Sequence, residues 1–287
     1  MGAVMIILAQ DAGINHKIEA MQPHDLGDKT IVLLEKQGPL AILSLNRPEV
    51  RNALSQALRN MLYERLLELR NAEDIGAIIL TGKGKAFCAG LDLEELKGIR
   101  ERSSTENLAD SQAFADLLDL IYHYPKPVIA ALNGHAIAGG AGIASVCDMI
   151  IMSEEASFGY TEARIGFVAA LVAVYLIRQL GERQAKDLLL SARLLKADEA
   201  LSLGLINAIC PAHEVLEIAK QRALTLLDNA PNSLRLTKSL LNALPGMGLK
   251  ESLAFAAQLN AFSRSSDDLK EGVSAFLEKR EPTWRKR

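Results

Sequence analysis

Asn133-Gly-His-Ala-Ile-Ala-Gly-Gly-Ala-Gly142 is the stretch that decides the fold. An apolar run over residues 128–132 leads into it. The run reads as a buried strand, and the small residues after it read as a tight turn that opens a helix. Such a turn leaves backbone N–H groups with no helical carbonyl to bond. Upstream lies Lys85-Ala-Phe-Cys-Ala-Gly-Leu-Asp92, again a strand-like run entering a small-residue turn and a helix. Downstream lies Ser157-Phe-Gly-Tyr-Thr-Glu162. Two such turns facing each other would make an oxyanion hole, and Glu162 would be the one acid/base near it. The pattern points to proton chemistry next to a polarised carbonyl.

Around these segments the chain alternates. Strand-like runs over residues 31–36 and 40–45 flank Gly38-Pro39, a hairpin signal. Ser55 caps a helical pattern whose Leu58, Met61, Leu62, Leu66 and Leu69 share one face. Buried strands are expected over 75–80, 128–132 and 148–152, and helices over 91–100 and 108–123. After about residue 168 helical patterns take over, at 171–180, 183–190, 197–203, 215–227, 233–243, 250–262 and 267–279. Alternation predicts an α/β core with mostly parallel strands. The expected division is an N-terminal extension over residues 1–28, a catalytic core over 29–205 and a helical C-terminal part over 206–287.

Composition excludes several classes. A net charge of −3 carries no basic bias for binding nucleic acid. Cys88, Cys147 and Cys210 form no CxxC pair and no metal-ligand spacing, and so sparse a set suits a reducing compartment, here the cytoplasm. The first ten residues are apolar but too short to span a bilayer, which needs ~20. They lack the basic flank of a signal peptide, and Asp11, Glu19, Asp25 and Asp28 argue against a transit peptide. No membrane association is expected. Gly139-Gly-Ala-Gly142 lacks the spacing of a dinucleotide fingerprint, and Thr81-Gly-Lys-Gly-Lys85 lacks the spacing and hydroxyl of a phosphate loop.

Taken in order, the segments resemble the crotonase superfamily, the enoyl-CoA hydratases and isomerases. The resemblance runs from about residue 30 to residue 284. It rests on Leu45-Asn-Arg-Pro48 with Asn52-Ala-Leu54, Phe87-Cys-Ala-Gly-Leu-Asp92 and Pro127-Val-Ile-Ala-Ala-Leu-Asn-Gly134. Ala138-Gly-Gly140, Cys147-Asp148, Phe158-Gly159 with Glu162, Gly204-Leu-Ile-Asn207, and Glu271-Gly272 with Ala275-Phe-Leu-Glu-Lys-Arg280 complete it. It implies an α/β fold of the crotonase (ClpP/crotonase-like) type, a spiral of ββα units with a helical C-terminal subdomain. It also implies a homotrimer or a dimer of trimers.

The resemblance further implies the site. The N–H groups of Cys88 and Gly139, each expected at the start of a helix, would bind the thioester oxygen. Glu162 would be the catalytic carboxylate, its pKa raised by an apolar pocket. Ala86, Phe87, Asp92, Gly140 and Gly142 would shape the CoA and acyl site, and Phe276 and Lys279 would complete it. The substrate is an acyl-CoA thioester, with no metal and no redox cofactor; CoA is part of the substrate. Gly142 departs from the pattern, because the best-known hydratases carry a first glutamate there. Relatives of the methylglutaconyl-CoA hydratase type also have Gly at this place. Syn hydration of an α,β-unsaturated acyl-CoA is therefore the leading expectation, and a Δ3,Δ2-enoyl-CoA isomerase the alternative. A CoA- or RNA-binding relative with little catalysis is disfavoured by the charge and by Glu162. His135 reads as structural or solvent-facing. Tyr160, Thr161 and Arg164 flank Glu162 and are candidates to tune it or to hold a polar acyl group, and residues 167–172 are expected to line or cover the acyl pocket.

Overall fold

The computed structural model describes residues 30–286, and the expected extension over residues 1–28 lies outside them. The chain opens with an antiparallel hairpin, β1 (Val32–Gln37) and β2 (Leu40–Leu45), turned at Gly38 with φ 56°. From β2 onward the large sheet is parallel: β3 (Ala77–Gly82), β5 (Val128–Leu132), β7 (Met149–Ser153) and β10 (Ala208–Cys210) add in that order. The strands passed over belong to a second sheet. There β4 (Ala86–Cys88), β6 (His135–Ile137) and β8 (Ser157–Gly159) run parallel, with β9 (Leu194–Lys196) antiparallel at the edge.

A repeating path results. A long strand in the large sheet passes through a short corner to a three-residue strand in the small sheet, and helix returns the chain. After β4 come α2 (Leu93–Ile99) and α3 (Ser104–Tyr122), after β6 comes α4 (Gly139–Ser145), and after β8 comes α5 (Ala170–Ser191). This is the expected spiral of ββα units. Side-chain amides pin its corners. Asn133 accepts from Gly82 N–H at 3.1 Å and donates to the Gly84 carbonyl at 2.9 Å. Fully buried Asn52 donates to the carbonyls of Lys83 and Ala86. Of these backbone groups, the Gly82 N–H and the Ala86 carbonyl lie in the interior, where water cannot serve them.

From β2 to β7 the long strands are mainly apolar and buried because both faces of the sheet are covered. On one face, Ile78, Leu80, Val128 and Ala130 meet Leu58, Leu62, Leu66 and Leu69 of α1 (Gln56–Arg70), whose first turn Ser55 caps at 3.2 Å. On the other, Ile42, Ile79, Ile129 and Ile151 lie under Val215, Ala219 and Ala223 of α7 (Val215–Leu227), spaced to put small residues against the sheet. The short α6 (Ala197–Ser202) precedes β10. Then follow α8 (Pro231–Ala243), α9 (Leu249–Ser263) and α10 (Asp267–Glu278). Lys238 ties α8 to the core through Asp148 at 2.7 Å. Among the described residues no helix is long and apolar enough to cross a membrane.

Local chemistry explains where element boundaries differ from expectation. The first helix after β4 starts at Leu93, not at residue 91, because Asp92 is its N-cap. The next starts at Ser104, before its apolar periodicity, because Ser103 and Glu106 form a capping box. The two patterns over 171–180 and 183–190 meet in one helical run broken at Gly181, where φ is 76°.

Candidate active site

Because β4, β6 and β8 are parallel neighbours, their C-terminal ends open at one edge of the small sheet. Each end delivers one of the three segments singled out in the sequence. After β4 comes the turn from Ala89 to Asp92, after β6 the turn at Ala138-Gly139, and after β8 a single 3-10 turn, Glu162–Ile165.

The first two turns touch. A Cβ at Gly140 would sit 2.5 Å from the Cys88 carbonyl oxygen and 2.7 Å from Cys88 Cβ. A Cβ at Gly90 would sit 2.9 Å from Ala138 Cβ. Any larger residue at either position would force the turns apart. Ala138 takes φ 51° and ψ −124°, a conformation rarely held outside glycine, and its own N–H bonds the Gly159 carbonyl at 2.8 Å. The first helical bond of α4 is Gly142 N–H to the Ala138 carbonyl, at 2.9 Å. Among the described residues, no backbone acceptor is present for the Gly139 N–H.

Cys88 is the last residue of β4, set opposite Ala136 in the strand pair, and not the start of a helix. Within its turn, Ala89 N–H bonds the Arg51 carbonyl at 3.0 Å, and Gly90 N–H turns to the Cys88 sulfur. Asp92 N–H bonds the Leu54 carbonyl at 3.2 Å. The parallel bridge between Leu54 and Leu91 faces the Gly90 carbonyl and the Asp92 N–H towards Leu54, so the Leu91 N–H faces the other way. Among the described residues it meets no acceptor. Sequence reasoning passed over Leu91, although its place just before the N-cap was a usable signal. Burial pushes the Cys88 thiol up to about 12, which leaves it neutral and unreactive.

Glu162 is half-buried, and its Oε2 is buried without a hydrogen-bond partner. Burial raises its pKa, opposed only by its own N–H. An unpaired, desolvated carboxylate is costly in a core and useful beside a reacting carbon.

The remaining candidates divide by position. Ala86 and Phe87 are buried in β4, and a cleft of about 160 Å³ beside Ala86 and Ala89 has Arg51 and His135 on its walls. His135 accepts the Ser157 N–H at 2.9 Å through Nδ1. Asp92 is engaged within the fold: it caps α2 through the Glu94 N–H at 2.9 Å and pairs with Arg47 at 2.8 Å. Gly142 packs on Val172 of α5. Phe167 and Val168 are exposed. Phe276 is 82% exposed on α10, and Lys279 follows as that helix's C-cap. A larger cleft of about 640 Å³ lies at the N-terminal ends of β2, β3 and β5, between Pro39, Lys126, Leu227 and Trp284, and holds none of these residues.

A paired-turn site on a ββα spiral defines a crotonase-type protein, and comparison with known proteins gives the family. Residues 35–287 match the enoyl-CoA hydratase/isomerase family, and the chain belongs to it. A Thermus thermophilus protein, provisionally named an enoyl-CoA hydratase, is 51% identical over 88% of this chain and 100% of its own length. The short-chain-enoyl-CoA hydratase of Clostridium acetobutylicum is 36% identical over 87% of this chain and 95% of its own. The crystal structure of an enoyl-CoA hydratase from Shewanella pealeana superposes with a TM-score of 0.85 at 29% identity, covering 89% of this chain and 96% of that one.

Proposed function

We infer that this protein is an enoyl-CoA hydratase, adding water across the double bond of an α,β-unsaturated acyl-CoA. The observation that carries the reading is the meeting of two turns with unbonded N–H groups at the sheet edge that also bears a half-buried carboxylate with one buried, unpartnered oxygen.

The thioester oxygen accepts from the Gly139 N–H and from the turn that begins at Cys88, where Leu91 holds the unbonded N–H. Negative charge grows on that oxygen as an enolate forms, so donors already aimed there stabilise the transition state more than the substrate. Glu162 takes a proton from water as the water oxygen bonds C3, and Glu162 then returns that proton to C2 on the same face, which regenerates the carboxylate. The step is redox-neutral, and the proposed mechanism uses no metal. CoA runs past Ala86 and Phe87. The assembly is a homotrimer or a dimer of trimers in the cytoplasm. Phe276 and Lys279 of a neighbouring copy complete the CoA site, a reading supported by the exposed Leu249, Leu253, Phe276 and Leu277 of α9 and α10.

Gly142 favours a second reading, since a lone carboxylate suffices to move a proton between C2 and C4 in a Δ3,Δ2-enoyl-CoA isomerase. One assay separates the two. Crotonyl-CoA should lose its conjugated thioester absorbance as 3-hydroxyacyl-CoA forms. A gain of that absorbance from a 3-enoyl-CoA, with crotonyl-CoA inert, would overturn the hydratase reading. Light scattering of the eluting protein tests the trimer.

A further inference from the structure

The helix that carries Gly139 is a poor helix by its own sequence. It has seven residues, Gly139-Gly-Ala-Gly-Ile-Ala-Ser145, three of them glycine. Each interior glycine costs roughly 1 kcal/mol against alanine, and so short a helix does not persist alone. Its direction must therefore come from its neighbours.

A chain of hydrogen bonds joins its last turn to those neighbours. Ser145 Oγ donates to the Ala141 carbonyl at 2.7 Å. Its one proton is then committed, so in its contact with the Tyr160 hydroxyl Ser145 is the acceptor and Tyr160 the donor. Tyr160 and Ser145 are both buried, and the Tyr160 ring stands edge-on to Phe158 at 5.9 Å. Tyr160 lies between β8 and Glu162. Gln179 of α5 donates to the Ser145 carbonyl and so satisfies the last turn of the same helix. The segment leading to Glu162 and the helix beginning at Gly139 are thus joined through one hydroxyl.

We propose that Tyr160 is a positioning residue: its hydroxyl, acting through Ser145, sets the angle at which α4 presents the Gly139 N–H to the thioester oxygen. The inference rests on the enoyl-CoA reading and adds the part that aligns its oxyanion hole. Tyr160 touches no reacting atom. A small rotation of α4 misaims a donor whose value depends on geometry.

The test uses a conjugated 2,4-dienoyl-CoA, whose absorbance shifts to the red when bound N–H donors polarise its carbonyl. Tyr160→Phe should reduce the shift and lower kcat about tenfold, with KM within about twofold. The acid limb of the pH–rate profile should not move, because Glu162 is untouched. The double variant Tyr160→Phe/Ser145→Ala separates alignment from packing. With both hydroxyls gone the link from Tyr160 to α4 is absent, so the red shift should stay small whatever the stability. Recovery of both stability and red shift in the double variant would show a packing role only and overturn the proposal. An unchanged shift and kcat in folded Tyr160→Phe would do the same. A wild-type protein that binds the dienoyl-CoA without any shift would bring down the enoyl-CoA reading, and this inference with it.

Discussion

The Cβ position of Gly142 lies 2.5 Å from Cγ1 of Val172, so helix α4 and helix α5 meet at a point with no room for any side chain. Val172 is itself buried. The acid/base count of the site is thereby linked to a helix crossing as well as to one codon. Gly142→Ala gains helix propensity and loses packing, and in a buried crossing the packing term is larger: overpacking costs about 1–3 kcal/mol against roughly 1 gained. Thermal denaturation should show a lower Tm for Gly142→Ala. Adding Val172→Ala should recover part of the loss, and a double variant no better than the sum of its singles would contradict the contact.

Glu162→Gln keeps the shape of the carboxyl and removes its basicity. Turnover should fall by about 10² or more, with CoA affinity kept. In the wild type, kcat/KM should fall as the pH drops through a pKa above the ordinary glutamate value, since burial raises it and the base form is required.

The same shift has a stability consequence. A carboxyl whose folded pKa is raised holds its proton in the native state at a pH where the unfolded chain has lost it. Stability is therefore lost as pH rises through that window. Glu162→Gln should be more stable than wild type at neutral pH, and the gap should close below the unfolded pKa. Urea denaturation at the two pH values checks this, and an equal gap at both would contradict it.

Cys88 should be silent chemically. Its thiol is neutral at working pH and buried. Iodoacetamide at neutral pH should leave native turnover unchanged, and Cys88→Ala should retain activity within about threefold, as a small residue fills the same space against Gly140. Rapid inactivation by the reagent would contradict this.

Asp92→Ala removes the cap of α2 and leaves the Arg47 guanidinium with the Ala53 carbonyl alone. The loss should be about 2–4 kcal/mol in urea denaturation. Burial opposes ionisation of Asp92, but the Glu94 N–H and Arg47 outweigh it and hold its pKa below the usual range. Its contribution is present above the unfolded pKa and is lost as pH falls through the lowered folded value. The gap between Asp92→Ala and wild type should therefore shrink in acid.

Much of this was legible in the chain. Long apolar strands, leucine-spaced α1 and the small-residue turns carry periods or compositions that local physics reads directly, and Glu162 stood out as the one acid/base near those turns. The three-residue strands of the small sheet are too short to carry a period, so their pairing was invisible. The Leu91 N–H is left free because the carbonyls of Arg51 and Leu54, far back in sequence, take its neighbours. The contacts of Gly142 with Val172 and of Tyr160 with Ser145 likewise depend on how helices cross, which no local pattern encodes.

The spiral has a consequence for the growing chain on the ribosome. Each turn of it deposits one strand of the small sheet, and the groups near residues 91, 139 and 162 share an edge only when three turns are laid down. The antiparallel closing strand, β9, ends at Lys196. A nascent or truncated chain stopping short of that point holds every reactive group named above and no finished sheet to seat them on. The groups near residues 91, 139 and 162 therefore share a closed sheet only once about two-thirds of the polypeptide has been made.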